Sequence, residues 1–307
     1  MWNLRKTSPA LSSLTGVVPF GETLVMARIT RNRGSRPRLE HYREMPADGA
    51  STRNLAHLIQ EDTHARDRLS LVTPWEAYKI LLVDAPDVPP QELRSALRWK
   101  IKDLIDFHVD DALIDLFELP VDSQAAGGRA SLYCIAARAE SIRSLVESVA
   151  ETGASLTVID IPEMCIRNLS ALAPEDQQGL VTLHLESQRG LVVITRQHTL
   201  YLARRLDFGT ETLQLTPAST EQLALEIQRS MDYCDRHFHL ALAQTILILP
   251  TQGAPDNLTE SLTQYTGLAA RHCDLNQHLD CVRPLANEEQ ARGLLAIGAA
   301  LRLGPES

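Results

Sequence analysis

The chain has no apolar run that approaches the roughly 20 residues needed to span a bilayer. Its longest candidate, residues 240–249, is broken by Gln244 and Thr245 and reads as the approach to a buried strand. The opening MWNLRKTSPALSSLTG has no apolar core of the secretory kind. Residues 1–18 are expected to form a tail, with Trp2, Leu4, Leu11 and Leu14 offering at most a loose dock on a membrane surface. Cysteine is sparse: Cys134, Cys165, Cys234, Cys273 and Cys281 are an odd, scattered set, which excludes a disulfide scaffold and suits reduced thiols in the cytoplasm. Basic residues are in the minority, 30 Lys and Arg against 39 Asp and Glu. The net charge of −9 therefore excludes general binding to nucleic acid. There is no GxxxxGK[ST] loop, no GxSxG, no HExxH and no isolated nucleophile beside a base, so no catalytic residue is assigned.

What is present is an ordinary globular composition, 44% hydrophobic and 22% charged over 307 residues, enough for about two domains. Residues 90–120, PQELRSALRWKIKDLIDFHVDDALIDLFELP, are the most informative stretch. Leu93, Leu97, Ile101, Leu104 and Ile105 recur at helical spacing, whereas Arg94, Arg98, Lys100 and Lys102 fall largely elsewhere. Pro89 and Pro90 open this helix, Asp110-Asp111 close a turn after it, and a strand follows over residues 113–119. With no catalyst in the segment, it reads as an interaction element.

The first half gives strands over residues 23–30, 38–42, 68–73 and 78–83, and short helices near residues 54–60 and 139–152. A Gly127-Gly128 turn leads to a strand at 130–136, and a strand at 156–161 is followed by a helix to about residue 172. Residues 173–179, APEDQQG, form the expected boundary. Beyond it the order repeats: strands at 180–185, 190–195 and 199–206, a long helix at 219–238, a strand at 245–249, a helix at 257–265 and a strand at 269–274. Ser219 with Gln222 is expected to box the long helix, and Asn287 with Gln290 the last one. Two halves of this kind imply mixed sheets covered by helices, the α/β class.

Five segments resemble the PilM-like family of type IV pilus assembly proteins, in its MSHA-pilus branch. They are ALRWKIKDLIDFHVDDALID around Trp99, LTVIDIPEMCIRNL from Leu156, GLVVITRQHTLYLARRLDFG from Gly190, LALEIQRSMDYCDRHF from Leu223 and GLLAIGAALR from Gly293. The resemblance implies a duplicated actin-like ATPase fold: a first lobe at 19–178 with an inserted interaction subdomain at about 90–153, and a second lobe at 179–307 with a reduced insertion.

In that family ATP lies between the lobes, held by an Asp and a Gly-Ser turn, an Asp-Ile-Gly turn and a Gly-Gly turn. Here the corresponding places read Met26-Ala27-Arg28, His184-Leu185-Glu186-Ser187 and Thr251-Gln252-Gly253. Set against the resemblance, these replacements imply a degenerate nucleotide cleft at Arg28, His184, Glu186, Ser187, Thr251, Gln252 and Gly253, with weak or absent ATP binding, no metal and no appreciable hydrolysis. The alternative is a working ATPase, with Glu186 serving the metal and Gly253 the adenosine. A small-molecule kinase of the same architecture fits less well, because no catalytic Asp is placed.

The resemblance also implies a partner, the short amino-terminal tail of a PilN-like single-pass inner-membrane protein (MshJ in MSHA systems), and a place on the cytoplasmic face of the inner membrane. The tail is expected beside the inserted subdomain, with Trp99, Ile101, Leu104 and Phe107 as an apolar floor and Arg94, Arg98, Lys100 and Lys102 as polar anchors.

Three sharper readings yield to plainer ones. Cys234, His237 and His239 lack a second ligand cluster for a metal. Asp103, Asp106, Asp110, Asp111 and Asp115 lack the order of a calcium loop, so capping and solubility explain them. Arg28, Arg31, Arg33, Arg36, Arg38 and Arg43 read as a solvated hairpin rather than a site for anionic lipid headgroups.

Overall fold

The computed structural model describes residues 12–20, 23–32, 34–46, 68–89, 91–119, 131–150, 154–238 and 243–302. Trp2, Leu4, Leu11, Arg33, His239, the helix expected near 54–60 and the Gly127-Gly128 turn lie outside these residues.

Three strands open the chain as an antiparallel meander: β1 (Ser12–Phe20), β2 (Thr23–Arg31) and β3 (Arg38–Pro46). The first corrects the expected tail, because residues 12–18 belong to the sheet. Its residues 14–18 are all buried, so they show no alternation of apolar and polar positions. Burial on both faces removes the period-two signal on which a strand assignment depends. β4 (Arg68–Val72) runs parallel to β1, and β8 (Ser155–Asp160) parallel to β4. Far along the chain, β14 (Asp280–Cys281) adds to β3, giving the order β14-β3-β2-β1-β4-β8.

The second sheet repeats the plan. β9 (Leu180–Leu185), β10 (Gly190–Arg196) and β11 (Thr199–Leu206) form the meander, and β12 (Thr245–Ile248) and β13 (Ala269–His272) add in parallel, in the order β11-β10-β9-β12-β13. Its outer face carries the long helix Pro217–Phe238 through Leu223, Ile227 and Cys234. That helix begins two residues earlier than expected, with the hydroxyls of Thr216 and Ser219 hydrogen-bonded at 2.8 Å.

Between the sheets lie two helices, Pro162–Ser170 and Asn287–Ala300, which share one core with both. The second contacts β1, β2 and β4. This is why GLLAIGAALR is rich in small residues. A Cβ on Gly298 would collide with the Cys165 carbonyl of the neighbouring helix, so only glycine permits the contact. The box partner of this last helix is Glu289, whose carboxylate accepts the Ala286 N–H at 2.9 Å. Gln290 is instead buried and binds Leu275 N–H and Asp274. Since β14 and this helix follow residue 179 yet join the first sheet, the chain returns to the first lobe at its end, contrary to the 179–307 division.

A third, antiparallel sheet, β5-β7-β6, stands apart: β5 (Tyr78–Asp84), β6 (Ala112–Glu118) and β7 (Ser131–Arg138). The helix Leu93–Ile101 packs Leu97 and Ile101 against it in a core of its own. The inserted subdomain therefore begins with β5 near residue 78, earlier than the expected 90. The APEDQQG boundary is not a loose linker. Asp176 is buried, its carboxylate takes the His198 N–H at 2.7 Å, and its carbonyl takes the Gln197 N–H at 2.8 Å.

Candidate functional site

The cleft between the lobes is a cavity of about 430 Å³ lined by β1 (Val18, Pro19), the segment after β4, the β9–β10 turn, and residues 250–252. Five residues expected there line it: His184, Glu186, Ser187, Thr251 and Gln252. Two do not. Arg28 lies on β2, where its Nε donates to Thr15 Oγ1 at 3.4 Å. The expected site at Arg28 rests on β2 as the first strand, whereas the strand that reaches the cleft is β1. Gly253 sits in a left-handed turn beside the cavity, its carbonyl accepting Gln214 Nε2 at 2.7 Å.

The chemistry of the cleft centres on residues that the sequence did not single out, Trp75, Glu76 and Arg189. Trp75 follows β4 in a short 3-10 turn, Trp75–Ala77, and is buried. Its ring stacks on His184 at 6.4 Å between centroids, and its indole N–H donates to Glu186 Oε1 at 3.2 Å. Arg189 Nε donates to Glu186 Oε2 at 2.6 Å, and its NH1 pairs with Glu76. Burial disfavours the charge on Glu186, but the His184 ring 3.5 Å away and the hydrogen-bonded Arg189 guanidinium outweigh it and hold the carboxyl down at about 2. A signal for Arg189 was available: it stands three residues after Glu186 in the turn between two strands.

These residues do not fit a triphosphate. The Glu186 N–H is already given to the Arg189 carbonyl at 2.9 Å, closing the hairpin turn. The Glu186 carbonyl takes Thr210 N–H at 2.9 Å, and Gly209 abuts it so closely that a Cβ would overlap. A fixed carboxylate about 5 Å from one phosphate charge costs roughly 3 kcal/mol at an effective dielectric near 20. The guanidinium that would offset this is committed to Glu76 and Glu186. Among the described residues no group of His, Cys, Asp and Glu is arranged to hold a metal ion.

The expected partner residues divide. Ile101 is fully buried in the subdomain core and is no surface floor, since its side of the helix faces the sheet. Trp99 is 76% exposed and Leu104 55% exposed. Arg98, Trp99, Lys102 and Phe107 line a shallow depression of about 880 Å³. Lys102 sits over the Trp99 ring at 5.9 Å, and Arg98 NH1 holds the Val109 carbonyl at 2.7 Å. Arg94 and Lys100 turn away from this depression, to Asp115 at 3.0 Å and to the Asp84 carbonyl at 2.6 Å.

A second groove, about 520 Å³, runs between the subdomain and the first sheet. Residues 156–161 line it consecutively, as do residues 115–117 of β6. Successive strand residues point to opposite faces, so consecutive lining means that a strand edge faces the groove. Both β8 and β6 are the terminal strands of their sheets, with no further strand paired to them among the described residues. Ile142 and Val146, one turn apart on the helix Ala139–Ala150, complete an apolar wall.

Among the described residues no helix is long and apolar enough to cross a membrane. No protein-family model matches the chain, and no curated protein matches it in sequence. In structure it is similar to a chain of the PilM–PilN type IV pilus biogenesis complex, with a TM-score of 0.70 at 18% identity over 94% of this chain and 97% of that one. It is also similar to the cytoplasmic domain of EpsL, an inner-membrane component of the type II secretion system of Vibrio cholerae, with a TM-score of 0.51 at 11% identity over 95% and 97% of the two chains. A Bacteroides thetaiotaomicron protein with actin-like ATPase fold and unknown function follows, with a TM-score of 0.48 at 7% identity over 87% and 92%. The architecture is the actin-like ATPase fold, two lobes of mixed sheet and helix with a small sheet inserted in the first.

Proposed function

We propose that this chain is a non-catalytic assembly protein of a type IV pilus platform, of the MSHA type and similar to MshI, working on the cytoplasmic face of the inner membrane. Its partner is the amino-terminal tail of a PilN- or MshJ-like single-pass protein. The structural likeness to a chain of a PilM–PilN complex supports the partner class. The sequence motifs around Trp99 and from Leu223 support the MSHA branch.

The observation that carries the reading is the groove flanked by two open strand edges. The edges of β8 and β6, with no further strand paired to them among the described residues, suit an extended peptide, which adds as a strand and seats alternate side chains on Leu113, Ile142 and Val146. Leu113 and Val146 are 51% and 41% exposed although apolar, as a surface that is covered by a partner would be.

The test is binding of a labelled PilN-type tail peptide to two double variants. Leu113→Asp with Val146→Asp is expected to weaken binding at least about tenfold, since each buries a charge against an apolar chain. Trp99→Ala with Arg98→Glu is expected to leave it near that of the parent. The opposite pattern would move the tail to the Trp99 face, and no binding in the parent would overturn the partner assignment.

A further inference from the structure

We propose that Arg189 is a built-in tie that holds the two lobes closed over the cleft, so that closure is a property of the polypeptide itself. Arg189 sits in the β9–β10 turn of the second lobe. Its guanidinium meets Glu186 of the same turn and Glu76 of the first lobe, and lies 5.2 Å from the Trp75 ring. Arg205, on β11 of the second lobe, lies 5.1 Å from the same ring and donates to the Trp75 carbonyl at 3.2 Å. Trp75 of the first lobe thus meets two arginines of the second, with its indole N–H donating to Glu186.

The pair that crosses between the lobes is itself solvated, with Glu76 71% exposed, and such a pair contributes little. What adds to it is Glu186, which is 19% exposed and, among the described residues, has Arg189 as its ion-pair partner and the His184 ring at 3.5 Å. Removal of the guanidinium leaves the shielded Glu186 carboxylate with the Trp75 N–H but without its ion-pair partner, and removes the charge that stands between Glu76 and Glu186, one from each lobe. The physical consequence is opening of the cleft. The tie is independent of whether the groove beside β8 takes a tail.

Hydrogen exchange of the full chain tests the tie at two segments, residues 72–78 of the first lobe and 185–190 of the second. Arg189→Ala is expected to speed exchange about tenfold or more in both segments together, with β1 and β2 unchanged. Small-angle scattering should show a larger radius of gyration, and Arg189→Lys should recover part of the protection. Acceleration confined to 185–190 would show that Arg189 only staples its own turn, and unchanged exchange in both would equally overturn the proposal. If Arg189→Ala does not fold, the parent in high salt decides: screening must speed both segments, and exchange insensitive to salt counts against the tie.

Discussion

Gly16 of β1 lies directly beneath Ala296 of the C-terminal helix, with no space between them for a Cβ, which would overlap the Ala296 carbonyl oxygen. One atom added at residue 16 must therefore move a helix backbone that is packed against three strands. Gly16→Ala is expected to destabilise the chain by about 3 kcal/mol, the upper range for overpacking, because no rotamer relieves a backbone collision. Urea denaturation measures it. A loss under about 1 kcal/mol would mean that the helix yields easily.

Ile101 and Trp99 stand two residues apart on one helix and should respond oppositely. Ile101→Ala removes a fully buried side chain from the small core of the inserted subdomain and should cost about 2–5 kcal/mol. Trp99→Ala removes a side chain that is 76% exposed and should change stability by no more than about 0.5 kcal/mol. Equal losses on thermal or chemical unfolding would contradict the helix orientation.

Acid should weaken the cleft through Glu186. Its folded carboxyl is held at about 2, below its unfolded value, so its contribution is complete above the unfolded value and fades as pH falls toward 2. The depression corresponds to about 3 kcal/mol at neutral pH. Stability measured from pH 6 down to about 2 should fall more steeply in the parent than in Glu186→Gln by roughly that amount. Parallel profiles would show that the carboxylate is not stabilised by the fold.

Mg-ATP is expected to give no binding heat in isothermal titration and no shift in unfolding temperature, because Glu186 repels phosphate and Arg189, already paired with Glu76 and Glu186, does not offset it. Micromolar binding would favour the working ATPase, with Glu186 and Gly253 in new roles.

Much of the architecture was legible from local pattern. The second lobe's long helix has an apolar stripe that periodicity detects, its buried strands β9 and β10 are short apolar runs bounded by turn residues, and Glu186, Ser187, Thr251 and Gln252 line the cleft. β1 escaped because it has no alternation and, unlike the equally buried β9 and β10, its apolar run is interrupted by Ser, Thr, Gly and Pro, which displaced the expected cleft residue onto Arg28. The groove between β8 and β6 was not readable at all, since its two walls are over 35 residues apart in sequence and meet only when separate sheets dock.

By itself the sequence determined most of the segments that become strand or helix, and that the helix around Trp99 has one apolar stripe, because these depend on side-chain type at short spacing. Tertiary structure alone decided that residues 287–300 return to the first sheet, that Ile101 faces inward while Trp99 faces out, and that Arg189 meets Glu76 across 113 positions. Such contacts arise from how whole layers pack, and no short-range pattern carries that information.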